Sequence, residues 1–404
     1  MTGALENMRR LGWIAALVAA MCAAAWTAGL WMEMQRAGPG RALDVDFAVF
    51  WAAAKLTLAH GPLVPFDLES LNAARSLPEG TETATMLWLY PPAWLVLILP
   101  FGYLPFFWGW LIFVLISLIT FGLASRIPCR GLPGAWLLLL SSPVVLILLA
   151  LGQNSLIFVS LFILAMEAMR RDQPVIAGLF IAAMTLKPHL GMAIPVALIA
   201  AGQWRVIAWA VIGTAVIVAT SLVWPGLDYW PALYTGITEG AAEVQASYLP
   251  SIMATGYGTG VVIGLGREGA ILLQAGVSLF AALGLAWLWR ERSAWDLKVA
   301  GLAFTIILIT PYAIYYELVF AVVGVLYLAR AGVLTGRLGA LYAIAVWGLP
   351  VLGLVLFRGP GFAFALPLVG LGLCIAIARA RHTPGGERDG SGTHGARSEG
   401  VHHG

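Results

Sequence analysis

Long apolar segments separated by short polar loops make up most of this sequence. The longest of these segments have about 20 residues, which is the length that a helix needs to cross the hydrocarbon core of a bilayer. Several have only about 14 residues, so we expect some helices to be bent or covered by protein. The pattern predicts an all-α polytopic membrane protein with about twelve transmembrane helices, at residues 11–32, 105–125, 134–150, 155–169, 174–187, 188–201, 206–224, 270–289, 299–312, 317–329, 338–357 and 361–379.

The basic residues predict which loops face the cytoplasm, because short cytoplasmic loops are enriched in arginine and lysine. Such residues precede the first span and recur in every second loop after it, at Arg9 and Arg10, Arg126 and Arg130, Arg170 and Arg171, Arg205, Arg290 and Arg292, and Arg330 and Arg337. We therefore predict that both termini are cytoplasmic. A single membrane-embedded domain at residues 1–380 is followed by a polar tail at residues 381–404, which we expect to be disordered in the cytoplasm.

An apolar stretch at residues 90–104 does not fit this count. It begins at Tyr90-Pro91-Pro92, ends at Leu104-Pro105 and holds only about a dozen apolar residues between them. A full crossing would also place every later arginine-rich loop outside the cell. We therefore predict a re-entrant segment, which a membrane protein tolerates only where protein or a wet cavity surrounds the backbone.

The composition agrees with a body that lipid surrounds. The chain has 404 residues, of which 60% are hydrophobic and 11% are charged, whereas a soluble protein has about 25% charged residues. The net charge is +3 without a basic cluster, so nothing indicates a nucleic-acid partner. The spacing of Cys22, Cys129 and Cys374 indicates neither a disulfide framework nor a metal site. We expect a multi-pass protein of the cell membrane, inner or plasma.

Acidic residues are scarce, and their placement is informative. A charge at the centre of a bilayer costs about 2.5–3.5 kcal/mol, and the predicted helices largely avoid that cost. Two long outer loops are predicted, at residues 33–90 and 225–269. The first of them concentrates the carboxylates of Glu33, Asp44, Asp46, Asp67, Glu69, Glu79 and Glu82 just outside the membrane.

Asp46 stands directly before an apolar stretch, residues 47–56, that fits an amphipathic helix lying at the membrane surface. Aspartate is a favoured N-cap, so Asp46 is a cap, a catalytic carboxylate or both. Asp44 forms with it an Asp-x-Asp pair, which on its own is a weak indication of a metal-nucleotide site and lies on the wrong side of the membrane for one. For Asp67, a cap or turn role is favoured.

Two further polar groups lie on the predicted outer side. Lys187, in Lys187-Pro188-His189, is a basic exception to the charge rule, so it calls for an anionic partner such as a lipid phosphate, unless it snorkels to the headgroups. Gln153 and Asn154 lie between two spans, where their amides suit a sugar or a phosphate. Asn154 is equally suited to cap the helix that follows it.

A third group is the turn at Tyr315-Tyr316-Glu317, although tyrosines there are also typical of an interfacial aromatic belt. These segments are distant along the chain. The predicted topology nevertheless places all of them on the same side of the membrane as Asp46, and this convergence is the main indication of a site from the residues alone.

A series of short motifs runs in order through the first half of the chain. It comprises Asp46-Phe47-x-x-Phe50-Trp51-x-Ala53-Ala54, Gly61, Phe66-Asp67, Tyr90-Pro91-Pro92, Leu99-Pro100, Leu104-Pro105, Gly152-Gln153-Asn154, Ala177-Gly178 and Lys187-Pro188, with Thr310-Pro311 further on. This series resembles glycosyltransferase family 87. The sequence departs from that family at Phe66, where tyrosine is frequent, and at the turn ending in Glu317, which is more acidic or carries histidine in other members.

The resemblance implies a C-type membrane glycosyltransferase with a GT-C-like helical bundle. It implies a hexosyltransferase that takes a sugar, mannose or another hexose or pentose, from a polyprenyl-phosphate donor and transfers it to a lipid or glycan acceptor. It also implies an extracytoplasmic active site and inversion at the sugar carbon. No cofactor is expected, since the polyprenyl-phosphate sugar is itself the donor substrate, and none of the expected site residues is a metal ligand.

The same resemblance assigns expected roles to the residues. Asp46 stands at the position of the general base. Lys187 and His189 are expected near the donor phosphate, with Gln153 and Asn154 near the sugar or phosphate. The expected accessory residues are Asp44, Asp67, Tyr90, Tyr316 and Glu317.

Two other functions compete with this one. A transporter or lipid flippase would carry paired ionisable residues or broken helices near the midplane of two corresponding halves. Here most charges lie at the membrane boundary and no internal repeat is evident, which disfavours that alternative. The other is a non-catalytic partner in a membrane assembly.

Overall fold

The computed structural model describes residues 2–37, 42, 45–75, 86–240, 249–357 and 363–382. Over this part of the chain the fold is all helical, as predicted. Its α-helices are α1 (Thr2–Ala37), α2 (Phe47–His60), α3 (Leu68–Arg75), α4 (Pro92–Ile98), α5 (Phe106–Ser125), α6 (Ala135–Leu140), α7 (Pro143–Leu151), α8 (Ser155–Arg170), α9 (Pro174–Met184), α10 (Ile194–Ala200), α11 (Trp204–Val223), α12 (Tyr229–Thr235), α13 (Leu249–Ile252), α14 (Gly256–Val262), α15 (Gly266–Arg290), α16 (Trp295–Ile309), α17 (Val319–Arg330), α18 (Gly336–Phe357) and α19 (Ala365–His382). Short 3-10 turns lie at Val64–Phe66, Leu99–Tyr103, Pro188–Gly191 and Tyr315–Leu318.

Four of the described helices are long and apolar enough to cross a membrane: α1, α5, α11 and α15. The other predicted spans coincide with shorter or interrupted helices. The run at residues 134–150 is divided into α6 and α7 because Pro143 lacks an N–H and holds Ser142 extended, at ψ 139°. The count of about twelve spans stays a prediction, and the tail beyond residue 382 lies outside the described residues.

Buried and outward-facing helices are clearly distinguished. Helices α16 and α17 are buried along most of their length and pack against each other. Helices α1, α11 and α15 instead expose large apolar side chains along their outer faces. Contiguous exposed apolar surface of this kind is expected where lipid is the solvent, so the helices around α16 and α17 form the shell of the membrane domain.

One end of this core carries a balanced ionic network. Arg170 contacts Asp296, Arg330 lies 3.4 Å from Glu167 and 3.5 Å from Asp296, and the Tyr327 hydroxyl donates to Glu167 over 3.0 Å. The network joins the C-terminal ends of α8 and α17 to the N-terminal end of α16. These three helix ends therefore lie together, and their location on the cytoplasmic side stays a prediction.

Helix α2 forms where the sequence predicted a helix, but its surroundings differ from the prediction. Residues 47–54 are all buried, so protein covers every face of the first two turns, and the predicted amphipathic surface helix is wrong. Small side chains allow this close packing. A Cβ atom on Gly102 would lie only 2.9 Å from the backbone of Ala54, and the rings of Phe47 and Phe101 meet edge to face at 5.8 Å.

The segment at residues 90–104 consists of α4 and the 3-10 turn Leu99–Tyr103. Both of its ends lie beside neighbouring residues of α2. The ring of Tyr90 packs 5.2 Å from that of Phe50, and the indole of Trp51 donates to the Leu104 carbonyl over 2.9 Å. A segment that crossed a bilayer would separate its ends by about 30 Å. Its re-entrant character stays a prediction.

Candidate active site

Asp46 precedes α2 in a conformation that does not suit an N-cap. Its backbone is already helical, at φ −57° and ψ −32°, and its side chain makes no capping hydrogen bond, whereas cap residues usually take extended backbone angles. Its carboxylate instead accepts a hydrogen bond of 2.9 Å from Gln153 Nε2, more than a hundred residues away in the chain. The half-buried carboxylate is therefore positioned by tertiary contacts, and the cap interpretation is wrong.

The turn between α7 and α8 brings Gln153 to Asp46. Gly152 ends α7 in the left-handed region, at φ 65°, and a Cβ atom there would lie 2.6 Å from Phe47 Cβ and 2.9 Å from the Trp110 ring. Both the backbone angle and the close approach of α2 therefore require glycine. The next residue is placed directly against the start of α2.

Gln153 is buried and its orientation is fixed from both ends. Its amide nitrogen donates to Asp46 Oδ2 and to the Tyr316 hydroxyl, each over 2.9 Å. Its amide oxygen accepts from the Asn154 backbone N–H over 2.8 Å. Gln153 thus links Asp46 to the turn before α17.

Lys187 is buried, with 4% of its surface exposed. Its ammonium pairs with Glu317 Oε1 at 2.8 Å and donates to Asn154 Oδ1 at 3.1 Å and to Ser155 Oγ at 3.0 Å. An ammonium has three donors, so protein groups account for all of them. The sequence correctly called for an anionic partner, but this partner is Glu317 rather than a lipid phosphate, and the lysine does not snorkel.

His189 extends the same network towards open space. Its Nε2 lies 3.1 Å from Glu317 Oε1, and 27% of its side chain is exposed, against 3% for Glu317. The Thr310 hydroxyl donates to the His189 carbonyl over 2.8 Å and so ties the end of α16 to this turn. Of the two basic side chains beside Glu317, His189 is the one that a substrate reaches more easily.

Two tyrosine hydroxyls lie close to the carboxylates. Burial, followed by the negative charges of Asp46 and Glu317, raises the pKa of both Tyr90 and Tyr316. Both hydroxyls therefore stay protonated at neutral pH and are available as hydrogen-bond donors. The structure thus places Asp46, Gln153, Asn154, Lys187, His189, Tyr90, Tyr316 and Glu317 in one cluster.

Asp67 does not belong to this cluster. It is exposed and accepts a hydrogen bond of 2.8 Å from the Ser70 backbone N–H, which makes it the cap of α3. Hydrogen bonds from Ser70 lower the pKa of Asp67. Asp44 lies outside the described residues. Within the described residues, no three histidine, cysteine or acidic side chains are arranged to hold a metal ion.

The sequence missed several residues that support the cluster. Ser155 binds Lys187. The indole of Trp88 donates to the Tyr229 hydroxyl over 2.6 Å, and that hydroxyl donates to the Tyr90 carbonyl over 3.0 Å. Arg75 is fully buried, and its carbonyl accepts from Ala42, just before the Asp46 turn. Arg75 is a basic residue on the predicted outer side, so the charge rule that singled out Lys187 would have found it.

An apolar groove of about 530 Å³ lies between α1 and α5. Its lining includes Ala24, Ala28 and Trp31 of α1 and Phe107 and Trp108 of α5. The next turn of α5 meets the candidate site, since the Trp110 ring packs against the turn that carries Gln153. The groove and the polar cluster therefore lie on neighbouring faces of one helix.

The family model of glycosyltransferase family 87 matches residues 88–311, which is more than half of the chain. The chain belongs to glycosyltransferase family 87. The resemblance noted in the motifs is confirmed, and this family 87 protein is a membrane glycosyltransferase with a sugar donor and an acceptor as substrates. No curated protein and no solved structure matches the chain. Nothing in these findings supports the transporter or flippase alternative.

The family 87 match contains Gln153, Asn154, Lys187 and His189 but neither Asp46 nor Glu317. Two contacts join these carboxylates to the matched region. Gln153 holds Asp46 and Lys187 holds Glu317. The cluster is thus continuous with the part of the chain that identifies the family.

Proposed function

We propose that this family 87 protein transfers a sugar from a polyprenyl-phosphate donor to a hydroxyl of a lipid or glycan acceptor on the outer side of the cell membrane, with inversion at the anomeric carbon. The observation that carries the proposal is the Asp46 carboxylate, which is half-buried, makes no cap and is held by Gln153. A carboxylate that is oriented by a tertiary contact and is still partly open to solvent suits a general base.

The chemistry is a single displacement. Asp46 takes the proton of the acceptor hydroxyl as its oxygen attacks the anomeric carbon. The bond from that carbon to the phosphate oxygen breaks, and the polyprenyl phosphate leaves with the bonding electrons. The new glycosidic bond has the opposite configuration, and the sugar is a hexose or pentose, with mannose as the first candidate.

The departing phosphate gains negative charge, which positive groups and amide donors stabilise. We assign its direct contact to His189, whose side chain is more exposed than that of Lys187. Lys187 lies behind it, and its contacts orient Asn154 and Glu317. Gln153, Asn154, Tyr90 and Tyr316 border the position of the sugar. Asp67 caps α3 and has no part in the reaction.

The polyprenyl chain requires an apolar surface open to lipid, and we assign it to the groove between α1 and α5. We expect Ala28→Phe to fill this groove and to raise KM for a long-chain donor about tenfold, in line with the roughly 1–3 kcal/mol that added bulk costs in a fitted site. Ala25→Phe, which adds the same bulk to an exposed position of α1 outside the lining, is the matched control. KM for a donor with a short prenyl chain should stay the same in both variants, and an equal rise for both donors would contradict the assignment.

The proposed topology has about twelve spans, a re-entrant segment at residues 90–104 and both termini in the cytoplasm. The closeness of the two ends of that segment on α2 supports it. The topology is also supported by the positions of the candidate site and the ionic network, because the two lie at opposite ends of α16.

Thiol labelling in intact cells tests this orientation. Cys129 and Cys374 are buried, so only the exposed Cys22 needs replacement by serine. We then expect a membrane-impermeant reagent to label Asp67→Cys but not Arg171→Cys, both of which are exposed positions. Equal labelling, or labelling of Arg171→Cys alone, would contradict the orientation.

The donor is tested with the purified protein in detergent and a lipid extract as the acceptor source. We expect label to pass into a new product from polyprenyl-phosphate sugars, polyprenyl-phosphate mannose first among them. Transfer from nucleotide sugars alone would contradict the proposal.

A further inference from the structure

A second cavity lies at the opposite end of the core from Asp46. Its volume is about 350 Å³, and it forms where α15 ends and α16 begins, against the end of α10. Helix α16 has 15 residues and runs from Trp295, at this cavity, to the residue before Thr310, which binds His189. At 1.5 Å per residue the cavity is roughly 22 Å from the candidate active site.

The lining of this cavity has excess positive charge. Arg290, Arg292 and Lys298 contribute three cations, and Glu291 contributes one carboxylate. Arg290 and Arg292 are exposed, and neither forms an ion pair or side-chain hydrogen bond with any residue that the structure describes. The neighbouring network of two arginines and two carboxylates has no net charge, whereas the cavity lining has excess positive charge. An external anion is therefore favoured in the cavity.

Lys298 is fixed at the wall of the cavity. Its ammonium donates to the Trp289 carbonyl over 3.0 Å, and the Trp289 indole donates to the Lys298 carbonyl over 3.0 Å. Burial lowers the pKa of Lys298, while Glu291 acts in the opposite direction. An anion in the cavity would favour the charged ammonium in the same way as Glu291 does.

The surroundings place this cavity at the depth of lipid headgroups. Helix α15 exposes Leu279, Phe280 and Leu283 in the turns before it, so lipid tails cover that face. Trp289 and Trp295 line the cavity itself, and tryptophan is enriched at the boundary between headgroups and tails. Basic pockets between helices at this depth suit the phosphate of an anionic lipid.

We propose that this cavity binds the phosphate group of an anionic ligand, either a membrane lipid headgroup or a soluble phosphate. Its volume is at the small end of the range for ligand pockets, so it holds a headgroup while acyl chains lie along the exposed face of α15. This site is separate from the proposed sugar transfer and does not depend on it.

Native mass spectrometry of the full-length protein measures this binding by titration with phosphatidylglycerol, phosphatidylcholine and inorganic pyrophosphate. The variant is Arg290→Gln/Arg292→Gln. Its matched control is Arg130→Gln/Arg171→Gln, which removes the same charge from two exposed arginines in other loops of the same predicted side. We expect the first variant to lose about 30-fold in affinity for phosphatidylglycerol, since each basic residue contributes roughly fivefold at an anionic surface, and the control to keep its affinity.

The three ligands distinguish the sources. Loss of phosphatidylglycerol binding in the cavity variant alone supports a lipid phosphate, and loss of pyrophosphate binding in that variant alone supports a soluble phosphate. The proposal would be overturned if the wild-type protein bound phosphatidylglycerol and phosphatidylcholine with equal affinity and did not bind pyrophosphate. An equal loss in the cavity variant and its control would overturn it as well.

Discussion

Asp46→Asn should lower kcat by about 10²–10⁴, because loss of a general base typically costs that much in rate. The variant keeps the size of the side chain and a hydrogen-bonding oxygen for Gln153, so the fold should be retained. The measurement is steady-state transfer with a labelled polyprenyl-phosphate sugar, accompanied by a thermal unfolding curve for each protein.

Asp67→Asn is the matched control for this experiment. It makes the same change at a carboxylate that caps α3 in the same predicted outer loop, and asparagine is an equally good cap. We expect its kcat to stay within about twofold of wild type. Near wild-type activity of Asp46→Asn would show that Asp46 is not the base, and Asp44 would be the next candidate.

Lys187→Met should strongly destabilise the protein. Among the residues that the structure describes, it leaves the buried Glu317 carboxylate with only the partly exposed His189 as a basic neighbour, and it removes a donor from Asn154 and Ser155. Removing one partner of a buried ion pair costs about 3–5 kcal/mol. We expect a clearly lower thermal midpoint in detergent.

A second substitution separates the charge effect from lost packing. Lys187→Met/Glu317→Gln removes both charges and should recover much of the stability without recovering activity. Lys55→Met, at a half-exposed lysine that lies over the Trp51 ring, should change the midpoint little, since exposed charges contribute at most about 1 kcal/mol. A double variant no more stable than Lys187→Met would contradict the ion-pair explanation.

Much of the helical layout follows from apolar segment length and proline. Long apolar runs became α1, α5, α11 and α15, and Pro143 divided a predicted span at the residue before it. Helix α2 was located but its environment was not, because a stretch such as Phe47–Ala54 is equally compatible with one buried face or with burial on all sides. Which of these occurs depends on partners distant in the chain, such as Gly102.

The candidate site was predictable as a set of segments on one side, but not as a set of contacts. The charge rule singled out Lys187, and nothing in the sequence identified Glu317 as its partner, since the two are 130 positions apart. The role of Gly152 likewise depends on how closely α2 and Trp110 approach it. Asp67 shows the converse case: a cap or turn role was favoured from the local sequence, and the Ser70 backbone N–H does donate to its carboxylate.

The anomeric configuration of the product tests the proposed mechanism most directly. Transfer from a polyprenyl-phosphate sugar of known configuration, followed by NMR of the purified product, reports whether the sugar carbon is inverted. We predict inversion in every product molecule, because Asp46 acts as a base on the acceptor and never bonds to the sugar. Retention of configuration, with a sugar found attached to Asp46 in the protein, would contradict the mechanism.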